Sequence, residues 1–143
     1  MEIATIGFTR TTATYFFERL TAARVQRVID VRLHNASQLA GFAKQADLPY
    51  FLEKLCGISY EHDLRLAPTE DLLKKYREDK DWDRYAAAFT RLMRRRNITT
   101  ILDRSSFTRK TALLCSEPTA DHCHRRLIAE ILTAAWPATV EHL

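Results

Sequence analysis

Short apolar runs alternate along this chain with segments of helical periodicity. "IATI" (Ile3 to Ile6) is a compact apolar run ended by Gly7. A hydroxyl-rich stretch, Thr9 to Thr12, then offers helix caps, and Phe16, Phe17, Leu20 and Ala23 follow at the spacing of one helix face. "RVIDVRL" (Arg27 to Leu33) is rich in β-branched residues and predicts a second strand. Strand, helix and strand in this order predict a βαβ unit with parallel strands and a right-handed crossover.

Asn35 to Pro49 reads as a loop, after which Phe51, Leu52, Leu55 and Cys56 make the apolar face of a short helix ended by Gly57. Cys56 is thereby assigned to the core. Ile58 to His62 predicts a third strand, and Leu72, Leu73 and Tyr76 mark a helix that the polar "REDKDWD" interrupts. A second helical run carries Tyr85, Phe89, Leu92 and Met93. "ITTILD" (Ile98 to Asp103) fits either a strand or the tail of that helix. "TALLC" (Thr111 to Cys115) is a buried-strand pattern, "LIAEILTAAW" is helical, and "ATVEHL" predicts a closing strand. With no internal repeat or linker, residues 1–143 are expected to form one α/β domain, a largely parallel sheet flanked by helices in three α/β/α layers.

A chain of 143 residues is long enough to bury a core without disulfides or metal. Hydrophobic residues at 46% and charged ones at 28% are ordinary for a globular protein, so extensive disorder is not expected. The N-terminal segment has neither a signal-peptide pattern nor a membrane-length apolar run, which predicts a cytoplasmic protein with no membrane partner. Three unevenly spaced cysteines make no disulfide framework and are expected to be reduced. The net charge of +4 is concentrated in "RLMRRR" and "RSSFTRK". It permits an anionic partner, a nucleotide or nucleic acid, without demanding one.

In open α/β sheets function gathers beyond the C-terminal ends of parallel strands. Cys115 stands at such an end. The loop after it, "SEPTADH", contains Thr119 and Asp121 as possible caps for a helix whose first turn would hold Cys123. At about 100° per residue, His124 falls at the centre of the apolar face formed by Leu127, Ile128, Ile131 and Leu132. Arg125 lies to one side of that face and Arg126 opposite it, which makes Arg125 the candidate for an anion contact and leaves Arg126 in solvent. Reactive thiol, anion site, metal site and simple packing all remain open for Cys115, Cys123 and His124. His122 adds a fourth potential ligand, but the spacing lacks the close pairs of zinc sites and adjacent helical residues converge poorly, so no metal is expected. Asp30 and Arg32 end the second strand at the same sheet edge, as an ion pair or as an anion contact. Tyr60 and His62 end the third strand in the same way.

Together, "TIGFT", "VIDVR", "YFLEKLCGISYEHD", "ALLCSEPTADHCHRRLIAEIL" and "VEHL" resemble the DUF488 family along essentially the whole chain. That resemblance implies membership of a group of bacterial and archaeal proteins with no established activity. It singles out Gly7, Asp30, Arg32, Cys115, Glu117, Cys123, His124 and Arg125. Glu117 enters through the resemblance alone, as a proton carrier or a group orienting His124. The chain departs from the family at Phe8, where a polar residue or histidine often follows the glycine.

The reading these residues favour is a small enzyme using Cys115 or Cys123 with Glu117 and His124 on an anionic substrate held by Gly7, Asp30, Arg32 and Arg125. A phosphate- or nucleic-acid-binding module using Arg32, Arg125 and Arg94 to Arg96 is the alternative, and a redox or metal sensor is a third. No cofactor and no oligomeric state follow from the sequence.

Overall fold

The central strand of the sheet is β4, and its composition explains why. In the computed structural model, which describes residues 1–36, 41–44 and 46–143, the strands are β1 (Glu2–Gly7), β2 (Arg27–Asp30), β3 (Ser59–His62), β4 (Thr111–Cys115) and β5 (Thr139–His142). They lie in the order β3-β2-β4-β1-β5, and every neighbouring pair is parallel. All of β4 is buried, as expected for a strand covered on both faces. The expected parallel relation of β1 and β2 holds, but β4 lies between them.

Helices cover both faces. They are α1 (Ala13–Ala22), α2 (Leu48–Phe51), α3 (Glu70–Asp79), α4 (Trp82–Arg95), α5 (Ile98–Ile101) and α6 (His124–Ala135). On one face Ala4, Ile6, Val28, Ala112 and Leu114 pack with Phe16, Phe17 and Leu20 of α1 and Leu48 of α2. On the other, Ile3, Ile29, Leu113 and Cys115 pack with Tyr85, Phe89 and Met93 of α4 and Leu127, Ile128 and Leu132 of α6. The alternation along each strand therefore sorts its side chains between two separate cores. Among the described residues, no helix is long and apolar enough to cross a membrane.

Caps set several helix starts: the side chains of Thr12, Thr69 and Asp81 accept from the backbone N–H groups of Tyr15, Leu72 and Arg84. The ambiguous segment after α4 resolves as a helical turn, α5, separated from α4 by Asn97 in the left-handed conformation (φ 54°). Two expectations need correction. Leu55, assigned to an apolar helix face, is 65% exposed, because residues Leu52–Cys56 form a π turn whose wider winding shifts the phase. Cys56 is half-buried at the margin of the α1 core. Pro49, assigned to a loop, lies at the start of α2, where its missing N–H costs nothing. The parts of that loop at residues 37–40 and 45 lie outside the described residues.

The arginine cluster at the end of α4 divides by role. Arg96 Nη1 donates to the carbonyls of Leu64, Arg65 and Ala67 at 3.4, 2.8 and 2.6 Å, tying α4 to the turn before α3. Arg95 is exposed. Arg96→Ala is expected to destabilise the fold by about 1–3 kcal/mol, and Arg95→Ala by no more than about 0.5 kcal/mol. Urea denaturation of both variants measures the difference.

Candidate functional site

Register brings the C-terminal ends of three strands together. Gly7 on β1 is opposite Cys115 on β4, and Asp30 on β2 is opposite Leu114. Cys115 alternates with Leu114 and so faces α6, whereas Asp30 points to the opposite side of the sheet, with Val28. Two polar clusters result, back to back at one edge.

The first cluster is built on Cys115, Cys123 and His124, all buried, with their ligand atoms within 4.8 Å of one another. His124 Nε2 lies 2.8 Å from the carbonyl oxygen of Val31. A carbonyl only accepts, so Nε2 carries the hydrogen and Nδ1 of the neutral ring is left as an acceptor. Cys115 Sγ is 3.7 Å from that Nδ1 and 3.8 Å from Nε2. The thiols are pushed in opposite directions. Hydrogen bonding from Cys123, with help from the Ser116 backbone and the Arg125 charge, holds Cys115 below the ordinary thiol range despite its burial and the charge of Asp30. Burial, and then the bond to Cys115, pushes Cys123 well above that range.

Behind this cluster is Arg125, only 1% exposed. Its Nη1 donates to the Glu117 carbonyl at 2.6 Å and reaches Cys123 Sγ at 3.7 Å, while Nε has no partner. No carboxylate pairs with it among the described residues. The helical phase places Arg125 and Arg126 as expected relative to each other: Arg126 is on the outer side, paired with Glu130 at 2.7 Å. Arg125, however, lies beneath the pocket rather than on its wall.

Gly7 is explained by this packing. A Cβ there would sit 1.6 Å from the Glu117 carbonyl oxygen and 2.8 Å from Arg125 Nη1. The Glu117 side chain is exposed, and His124 is oriented by Val31 instead. Thr9 fastens the two loops together, its N–H and Oγ1 both donating to the Ser116 carbonyl. The expected caps Thr119 and Asp121 are not used. Cys123 itself is the N-cap of α6, in extended backbone and with no side-chain cap bond, so the helix starts two residues later than a cap at Asp121 would set.

The second cluster is an ion pair. Arg32 Nε and Nη2 donate to the two Asp30 carboxylate oxygens at 2.8 and 2.7 Å, and Nη2 also donates to the Ala43 carbonyl. Tyr60 donates to Asp30 at 2.7 Å, and His62 Nε2 meets the Arg32 carbonyl. Burial and the Asp30 charge push the Tyr60 phenol upward, so it remains a donor. The Arg32 guanidinium lies over the Phe8 ring, 4.8 Å from its centroid. Phe8 thus serves as a platform for Arg32.

A cavity of about 460 Å³ opens between the clusters. Cys115, Cys123, His124, Arg32 and Glu117 line it, while Gly7, Asp30 and Arg125 are buried behind its wall. With His34 and His122 among the remaining lining residues, Arg77 and Lys80 from the α3 end, and Tyr76 and Tyr85, also line it. None of these four was a candidate from sequence, where the tyrosines read as core and the cations as a solvated turn. Only the way α3 and α4 overhang the sheet edge could reveal them.

The family model for "Domain of unknown function DUF488" matches residues 12–132. The chain belongs to the DUF488 family. Nothing among curated proteins or solved structures matches it. The DUF488 match includes both polar clusters from Asp30 to Arg125 but begins after Gly7, so the tight packing at β1 is a feature read from this chain alone.

Cys115, Cys123 and His124 have the soft donors and the spacing to hold a zinc-like ion. Cys123 converges because it precedes the helix, which removes the geometric objection drawn from helical neighbours. His122 stays apart, exposed and stacked on Trp82. Against an ion stands charge: the guanidinium of Arg125, already buried beside Cys123 Sγ, has the same sign. Protein purified without a metal-affinity tag is expected to contain less than one equivalent of zinc or iron by plasma spectrometry. A tight equivalent that disappears in both Cys115→Ser and Cys123→Ser would contradict this.

Gly7→Ala is expected to displace the Glu117 carbonyl and destabilise the fold by roughly 1–3 kcal/mol, the usual cost of overpacking. A shift of the urea midpoint, compared with an unshifted Gly41→Ala, whose added Cβ meets nothing within 4 Å, checks it.

Proposed function

We propose that this DUF488 protein is a small thiol- and histidine-dependent enzyme acting on an anionic substrate at the C-terminal edge of its sheet. One observation carries the reading: Cys115 meets His124 on the pocket floor while the neighbouring Arg125 is buried without a carboxylate. An uncompensated buried charge costs several kcal/mol. A thiolate on Cys115 supplies the missing negative charge, its proton passing by way of His124 Nδ1 to solvent and leaving the neutral ring held through Nε2–H by the Val31 carbonyl. That arrangement activates a nucleophile.

Substrate charge follows from the rim. Arg77 and Lys80 line the pocket against the single carboxylate of Glu117, the charge of Arg32 being offset by Asp30, and this excess focuses anions toward the floor. A nucleotide meets this requirement, as do smaller phosphates and carboxylates. Glu117 is the acid that lines the pocket and is assigned to proton exchange with solvent. The pure binding-module alternative loses two of its arginines to structure, since Arg32 is paired with Asp30 and Arg96 braces carbonyls.

In a Cys56→Ser background, iodoacetate and iodoacetamide distinguish these readings. Cys115 should be alkylated in preference to Cys123, and the anionic reagent should gain at least about tenfold on the neutral one relative to a free thiol, the low end of electrostatic focusing. Peptide mass mapping gives the site. Equal modification of both cysteines, or a preference for the neutral reagent, would overturn the proposal. Arg126→Ala should leave both rates unchanged.

A further inference from the structure

The sulfur of Cys123 has no role as a helix cap, no role as the nucleophile, and yet is held within 4.8 Å of Cys115 on the same pocket floor. Ser, Thr, Asp or Asn normally occupies the N-cap position because its oxygen satisfies a helix N–H. Here a sulfur replaces that oxygen and forgoes the bond. Arg125 Nη1, 3.7 Å from Cys123 Sγ, is placed to stabilise negative charge on this second sulfur as well. Between the cysteines, residues 116–122 belong to no helix or strand, so the two sulfurs can close to bonding distance without breaking a sheet ladder.

We propose that Cys123 is a resolving thiol and that the substrate class is an anionic sulfur electrophile, a disulfide carrying carboxylates. This deepens the thiol-enzyme reading and rests on it. In the first step the Cys115 thiolate attacks one sulfur of the substrate disulfide; the S–S bond breaks, and the departing thiolate takes a proton from solvent relayed by His124. Cys115 is then joined to the other half of the substrate. In the second step Cys123 attacks Cys115 Sγ, its proton passes to the second departing thiolate, and a Cys115–Cys123 disulfide remains. The protein dithiol loses two electrons, and the substrate disulfide gains them to become two thiols. A dithiol reductant returns the protein to its starting state.

The pairing of the thiols suits these roles. Cys115, depressed by its hydrogen bond from Cys123 and by Arg125, is the better first nucleophile, and Cys123, raised by burial, holds its proton until the adduct has formed. The basic rim selects the charge of the electrophile: Arg77 and Lys80 lie at the mouth, and the only acid among the lining residues is Glu117.

The test uses the full chain carrying Cys56→Ser, treated with a chelator and then with oxidised glutathione or, for comparison, the cationic disulfide cystamine. Intact mass should fall by two hydrogens with oxidised glutathione, with no glutathione retained, and reaction with cystamine should be at least tenfold slower. Cys123→Ser should retain one glutathione on Cys115, and Cys115→Ser should not react. A stable glutathione adduct on Cys115 in the presence of Cys123 would overturn the resolving role while leaving the nucleophile intact. Faster reaction with cystamine would overturn the substrate class. Failure to react with either disulfide, in protein whose Cys115 still takes iodoacetate, would overturn the sulfur chemistry alone; failure with iodoacetate too would remove the underlying thiol reading.

Discussion

A guanidinium buried without a carboxylate governs the edge of this sheet. Arg125 can reside at 1% exposure only if negative charge or strong acceptors surround it; it contacts the Glu117 carbonyl and the Cys123 sulfur, and its charge also acts on the Cys115 thiol. The carbonyl is there because Gly7 has no Cβ to exclude it. The sulfurs are there because Cys115 is the last residue of β4 and Cys123 the residue just before α6. Removing any of the three leaves a charge in an apolar site. The chemistry attributed to Cys115 is thus the electrostatic counterpart of a packing arrangement.

The alternation of β2 and β4 separates this cluster from the Asp30–Arg32 pair. Asp30 is satisfied by Arg32 and Tyr60, a closed network with donors for both carboxylate oxygens. Its task is to fix Arg32 over Phe8, with the guanidinium forming part of the pocket wall. One buried arginine is neutralised by a carboxylate and rigid; the other faces thiols whose protonation can change.

Much of this was legible in the residues. "TALLC" and "RVIDVRL" marked strands whose ends share an edge, and helical phase turned His124 inward and separated Arg125 from Arg126. What periodicity could not give was depth. Arg125 lies beneath the pocket instead of on it because the Glu117 carbonyl, a backbone group with no sequence signature, draws its Nη1 inward. Cys123 converges with Cys115 and His124 because the helix starts two residues later than a cap at Asp121 would set, a detail finer than the pattern resolves. Tyr76, Tyr85, Arg77 and Lys80 reach the pocket through the packing of α3 and α4 across the edge, a long-range arrangement that no local pattern encodes. Leu55 was misassigned because a π turn changes the period on which the assignment depended.

The central claim is that Arg125 is balanced by a thiolate on Cys115. The most direct measurement is ultraviolet thiolate absorbance as a function of pH in the Cys56→Ser protein, with folding followed by circular dichroism. The account predicts about one thiolate per chain at neutral pH, lost in Cys115→Ser, retained in Cys123→Ser, and moved to higher pH in Arg125→Lys, whose point charge cannot reproduce the guanidinium's contacts. An absence of thiolate until the pH exceeds that of an ordinary cysteine would contradict it.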